Sequence, residues 1–431
     1  MRVTGHPVRL VVADDLRRSR LTVFFRWLLA IPHVIWLLLW TVAAVVAVLG
    51  AWIVALFTGR VPAGLHGFLA AYVRYLTHLG SYLTLIANPY PAFTGERGYP
   101  VDVELPVPDR QSRWTIAFRS LLLIPAVLLA AVLGSGLHAA GLAGSGRTNG
   151  DPTFYYVSIG GALAAVALLG WFASLFLGRM PHNLRELGAY SIGYGAQTWA
   201  YALLLTDRYP SSDPEEVRPA AGLAAHEVSL DLGDDGRRSR VTVFFRLLLA
   251  IPHFAWLLLW SIAAFFAAIA NGLIALVRGR SADTLHRFLV AYVRYTAHVV
   301  AFVSLVANPF PGFTGDPGYP VDIVIGQPER QNRWITLFRT FLVIPALIVS
   351  SALSGVLAVI ALLGWFTSLA TGRMPTGLRN LGAVCVRYLS QTNAYWFVVT
   401  DAYPDASPAL RPPSAPEPVY ADPFAPLPEA V

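Results

Sequence analysis

The chain has 431 residues, of which 55% are hydrophobic and 13% charged. A soluble globular chain is about one quarter charged, so this balance excludes an ordinary soluble domain and points to a membrane. The formal charge of +7 rests on arginine alone, and with no RNA-binding or helix-turn-helix motif beside it, it is read as contact with anionic lipid and cytoplasmic loops rather than nucleic acid.

Taken in chain order, the first 20 residues carry Asp14, Asp15, Arg17, Arg18 and Arg20 before any apolar run, so they do not read as a cleaved signal peptide. PVRLVV at 7–12 predicts a short strand. Residues 27–57 are almost free of charge, long enough to cross a hydrocarbon core of roughly 30 Å. A Gly59-Arg60 turn follows, then a second apolar run over 65–87 that ends in NPYP at 88–91. The same order returns three times. The strands are PVDVEL at 100–105, HEVSLDL at 226–232 and PVDIVI at 320–325. The long apolar runs are 156–177, 247–277 and 341–371, and their turns are Gly178-Arg179, Gly279-Arg280 and Gly372-Arg373. The endings are TDRYP at 206–210, NPFP at 308–311 and TDAYP at 400–404.

These are four copies of one unit. Residues 17–40, RRSRLTVFFRWLLAIPHVIWLLLW, match 237–260, RRSRVTVFFRLLLAIPHFAWLLLW, at all but four positions, and a weaker copy opens at 111 and at 331. The spacing Arg, Arg six later, Pro six later recurs as Arg20/Arg26/Pro32, Arg113/Arg119/Pro125, Arg240/Arg246/Pro252 and Arg333/Arg339/Pro345. The units are 1–91, 92–210 with an insertion over about 134–159, 211–311 and 312–404, followed by a Pro-rich tail over 405–431 that reads as disordered.

The FR…IP start, the turn, the Arg-Tyr and Ala-Tyr of the second helix and the TDRYP-type ending resemble the family called domain of unknown function 4389. The resemblance covers about residues 7–404, implies a bacterial integral membrane protein of tandem repeats, and confers no activity. Unit 2 departs from the pattern, with Gly193 where the others carry Arg74, Arg294 and Arg387.

The expected fold is mainly α: four units of a short strand plus a two-helix transmembrane hairpin, about eight spans in all. Two crossings per unit bring every strand and every helix start to one face, with the Gly-Arg turns opposite. The arginine bias makes that face cytoplasmic, so both termini lie there, in a multi-pass protein of the bacterial inner membrane. The four strands are expected to form one small cytoplasmic β-sheet. At the helix starts, Arg20, Arg26, Arg113, Arg119, Arg240, Arg246, Arg333 and Arg339 read as interfacial arginines reaching lipid phosphate.

In the second helices, Arg74 and His78, Arg294 and His298, and Arg387 and Gln391 fall one turn apart near mid-depth, with no carboxylate at similar depth to pair with them. A charge there costs several kcal/mol unless paired, which makes these six residues candidates for binding lipid or another anion; the plain alternative is a polar layer fixing helix register. The histidines lack metal-ligand spacing, no cofactor motif is present, and no catalytic motif appears, so neither a metal site nor an enzyme is expected. Two functions stand: a non-enzymatic module binding or organising anionic lipids or partner membrane proteins, itself included as a homo-oligomer, and a transporter or lipid-translocating protein using the mid-membrane arginines.

Overall fold

The computed structural model describes residues 6–134, 160–217, 226–233, 237–326 and 330–410. The expected insertion loop and most of the Pro-rich tail lie outside them. Unit 1 contains β1 (Arg9–Val12), α1 (Arg20–Leu29), α2 (Ile31–Thr58) and α3 (Ala63–Leu83). Unit 2 contains β2 (Val101–Glu104), α4 (Arg113–Ala117), α5 (Arg119–Leu133), α6 (Ala162–Leu177) and α7 (His182–Ala202), followed by α8 (Pro214–Val217). Unit 3 contains β3 (Val228–Leu232), α9 (Arg240–Phe244), α10 (Arg246–Arg278) and α11 (Asp283–Val303). Unit 4 contains β4 (Val321–Ile325), α12 (Arg333–Leu342), α13 (Ile344–Thr371) and α14 (Thr376–Trp396).

Proline shapes the first helices in two ways. Helix α2 begins at Ile31 and α13 at Ile344, so Pro32 and Pro345 sit in the first turn, where a missing N–H costs nothing. In units 2 and 3 the break falls earlier, at Phe118 and Phe245, and Pro125 and Pro252 lie inside α5 and α10. The four long helices that end at a turn stop at Gly59, Gly178, Gly279 and Gly372, each with φ near +70°, the left-handed C-cap that glycine adopts without strain.

The molecule is tiered. The second helices α3, α7, α11 and α14 are buried along most of their length. The strands pack on them, β1 on α7, β2 on α3, β3 on α14 and β4 on α11, while the first helices pack against them as a separate tier. The large exposed apolar side chains lie overwhelmingly on that first tier: Trp27, Leu38, Val46 and Phe57 in unit 1, Leu121 and Phe176 in unit 2, Leu258 and Phe266 in unit 3, Phe341 and Phe366 in unit 4. Helices α2, α10 and α13 are long and apolar enough to cross a membrane; among the described residues the second helices are not, and α5 and α6 are shorter apolar helices.

Two expectations are corrected. The strands form two separate antiparallel sheets, not one: β1 pairs with β2, Leu10 opposite Val103, and β3 with β4, Leu230 opposite Ile323. Each sheet is seated on the second helices of its own half, which keeps the two pairs apart. Nor do helix starts and Gly-Arg turns divide between two faces. The Arg18 N–H donates to Gly178 O and the Gln111 N–H to Gly59 O, while Arg238 and Gln331 do the same to Gly372 and Gly279. The start of each unit therefore sits at the turn of its neighbour. Trp52 of α2 donates to Ile116 O in α4, and Trp171 of α6 donates to Val23 O in α1. Units within a half are thus placed head to tail, and a count of arginines by face loses its basis.

Candidate functional site

Why a run as apolar as FFRWLLAIPH contains Arg26 is answered by the far end of the same unit. A helix C-terminus leaves its last carbonyls unbonded and carries partial negative charge. Arg26 Nη1 donates to Tyr82 O and to Ala87 O (3.0 Å), Nη2 reaches Asn88 Oδ1 at 3.3 Å, and the guanidinium lies 4.3 Å from the Tyr82 ring centre. The arrangement recurs in every unit. Arg119 serves Tyr201 O and Thr206 O, Arg246 serves Phe302 O and Ala307 O, and Arg339 serves Tyr395 O and Thr400 O. All four arginines are buried, with Arg26 1% exposed.

Four of the eight arginines read as interfacial are therefore buried on helix-end carbonyls. The reason is local: the second residue after each second helix, Leu85, Leu204, Leu305 or Val398, has φ near +60°, a left-handed turn that folds the following carbonyls back onto the arginine. A second side chain, unanticipated from the sequence, completes the clamp in units 1, 2 and 4: Arg18 donates to Leu85 O and Ile86 O, Gln111 to Leu204 O, and Gln331 to Val398 O.

The other four, Arg20, Arg113, Arg240 and Arg333, are exposed at the rims. Arg20 donates to Phe176 O at 3.1 Å, Arg240 to Ala370 O at 3.1 Å and Arg333 to Val277 O at 2.9 Å, each at the C-terminal turn of the neighbouring unit's long helix.

The six second-helix candidates all face the strands or the tail. His78 Nε2 lies 2.9 Å from Asp102 Oδ1 of β2, and Arg74 faces the same carboxylate. His298 Nε2 and Arg294 Nε lie 3.1 and 3.2 Å from Asp322 Oδ1 of β4, and Arg294 also donates to Ile323 O. Gln391 donates to Val228 O of β3 and accepts from the Asp405 N–H. Arg387 donates to the carbonyls of Asp405, Ser407 and Ala409. On α3 and α11 the carboxylate is thus supplied by the strands, which run beside the second helices instead of lying beyond their ends, whereas Arg387 meets backbone carbonyls. Residues 405–410, expected to open the disordered tail, are packed under Arg387, with Ala406 and Ala409 buried.

Gly193 stands in the arginine position of unit 2 because α8 closes over it: a Cβ would meet Val217 of α8 at 2.9 Å, with Leu10 of β1 in ordinary contact at 3.6 Å. Asp102 and Asp322 are held below the ordinary aspartate range. Burial pushes each up, but the histidine and two backbone N–H groups, from Gly98 and Val103 or from Gly318 and Ile323, outweigh it.

The profile of the domain of unknown function DUF4389 matches residues 20–95, 154–212, 240–314 and 333–406; three of these segments run from the helix start to the clamp it closes, while that of unit 2 begins after Arg119. No curated protein and no solved structure matches the chain. With well over half of its length matched, the protein belongs to the DUF4389 family.

Proposed function

We propose that this protein is a non-catalytic membrane module that lies at the bilayer surface and organises anionic lipid around its arginine rims. One observation carries the reading: exposed large apolar side chains are concentrated on the first-helix tier, while the strand tier exposes Arg9, Glu96, Arg97 and Glu104. A two-stranded sheet leaves its outer N–H and C=O groups unpaired, and hydrocarbon has no partner for them. Strands alongside the middle of the second helices therefore belong in water. The first helices then rest in the membrane parallel to its plane, in place of the eight crossings read from the sequence. Head-to-tail units suit that orientation, because starts and turns reach the same depth and Arg20, Arg60, Arg113 and Arg179 can all meet headgroups.

Both described ends, His6 beside β1 and Leu410 beside β3, lie in the strand tier, on the side we take as the cytoplasmic side of a bacterial inner membrane. The transport alternative needed Arg74, Arg294 and Arg387 to converge on one cavity, and two of them are held elsewhere: Arg294 by β4 and Arg387 by the segment after α14.

The test uses single cysteines at Arg20, Arg60 and Glu104 in a Cys385→Ser background, labelled in sealed vesicles with an impermeant maleimide. All three should react from the same side. Labelling of Arg20→Cys and Arg60→Cys from opposite sides would mean that α2 crosses the bilayer and would sink the surface orientation.

A further inference from the structure

The two halves meet where α5 and α6 pack on α13, and beside that contact lies a cleft of about 830 Å³, within the roughly 300–1,000 Å³ usual for small-molecule sites. Its walls are apolar and continuous with the lipid-facing tier: Leu121, Ile124 and Leu128 of α5 face Leu362 and Phe366 of α13. Leu121 is 65% exposed and Phe366 59%, so the cleft opens onto the surface we place in the acyl region.

Its other end is polar and acidic, formed by Ser211, Ser212, Asp213 and Glu216 beside α8 together with Thr376 at the head of α14. The floor is drawn tight at Gly377, where a Cβ would lie 2.7 Å from Ser212 Oγ and 2.8 Å from Asp213 N. Asp213 accepts only neutral donors, the Glu215 N–H at 3.1 Å and Asn380 Nδ2 at 2.9 Å, and among the described residues it meets no cation. Glu216 is a distant 4.0 Å partner of Arg208.

We infer that this cleft is a binding site for a single phospholipid bearing a primary amine in its headgroup. An acyl chain fills the leucine-lined part, and the ammonium reaches Asp213 and Glu216, whose oxygens keep lone pairs to accept it. Charge complementarity sets the choice: a carboxylate pair repels an anionic headgroup and gives a charge-assisted hydrogen bond to an ammonium. The site is therefore opposite in preference to the arginine rims, and it rests on the reading of the first tier as membrane-embedded.

The experiment reconstitutes the full chain in nanodiscs of equal phosphatidylethanolamine and phosphatidylglycerol, then identifies retained lipid by native mass spectrometry. Wild type should hold about one phosphatidylethanolamine per chain. Asp213→Asn with Glu216→Gln should lower the retained ethanolamine-to-glycerol ratio roughly tenfold, the effect of losing one charge-assisted bond. Leu128→Trp, which fills the apolar part, should lower retention of either lipid. A retained mixture equal to the bulk, or a preference unchanged in the double variant, would overturn the assignment. Flotation of each protein with vesicles keeps the two readings separate: a wild type that floats but shows no preference refutes the cleft alone, whereas a wild type that fails to float refutes the embedding.

Discussion

Units 1 and 3 differ from units 2 and 4 in one consistent way. In the odd units the clamp arginine reaches a neutral amide, Asn88 or Asn308, whereas in the even units it reaches a carboxylate, Asp207 or Asp401. The strand latches are reversed. Odd units hold a strand through His78 with Asp102 and His298 with Asp322, while even units use Gln197 on Val8 O and Gln391 on Val228 O. Each unit therefore keeps one charged fastening and one neutral fastening. Because β1 is latched by α7 and β2 by α3, the strands exchange partners within a half and tie the two units together. A single unit would close its own clamp but leave its strand without the helix that latches it.

The sharpest way to break this comparison is to remove the clamps one at a time. Arg339→Ala leaves Asp401, with a side chain 19% exposed, without its guanidinium, and it leaves the Tyr395 and Thr400 carbonyls short of a donor. Breaking a buried ion pair costs about 3–5 kcal/mol. Arg246→Ala orphans carbonyls and a neutral amide, and about 2–3 kcal/mol is expected. Thermal unfolding in mild detergent measures both. Equal losses would mean that the carboxylate adds nothing to the even clamps. Arg339→Lys should recover little, because one ammonium cannot reproduce the forked donation to two carbonyls and a carboxylate.

The latches give a smaller and pH-dependent difference. Asp102 and Asp322 have folded pKa values below the unfolded one, so their contribution is complete above about pH 4 and disappears as the pH falls through the depressed folded value. The glutamine latches do not titrate. Acid should therefore loosen β2 and β4 from α3 and α11 while Gln197 and Gln391 still grip β1 and β3. Asp102→Asn with Asp322→Asn should lower stability at pH 7 by about 1.5–3 kcal/mol per site and flatten the decline below pH 4. Melting curves from pH 3 to 7 decide it, and an unchanged acid limb in the double variant would count against the latch.

The four-fold order of elements and the position of each strand were legible because strand alternation and long apolar runs are local signals. The clamp was legible in principle. Arg26, Arg246 and Arg339 lie 56 and 61 residues before the two carbonyls they serve, and in unit 2 the insertion stretches those separations to 82 and 87. The arginine, the aromatic residue and the Asn or Asp thus recur together. What hid the clamp is that the carbonyls are backbone groups, aimed by a left-handed turn at Leu85 and its counterparts that carries no glycine to announce it. The placement of Asp102 and Asp322 was missed for a different reason. Strand position was inferred from an assumed membrane boundary, and strand pairing is a non-local property that periodicity does not contain.

The smallest stability effect is expected where the sequence pointed most directly, at the rim arginines. Arg20 and Arg240 are exposed and each donates one hydrogen bond to a carbonyl at the end of a neighbouring helix. Arg20→Ala with Arg240→Ala should change unfolding stability by no more than about 0.5 kcal/mol per site, as is usual for surface positions. Their effect on membrane binding should be larger. Each arginine near an anionic surface contributes about 1 kcal/mol, so the pair should weaken affinity for phosphatidylglycerol-rich vesicles by more than tenfold while leaving neutral vesicles unaffected. The same vesicles with Arg26→Ala provide the contrast, since a buried clamp should alter folding far more than lipid preference. If the rim variant bound anionic and neutral vesicles as wild type does, its arginines would serve only to staple neighbouring helix ends, and the two arginines of the repeated triplet would share one structural role.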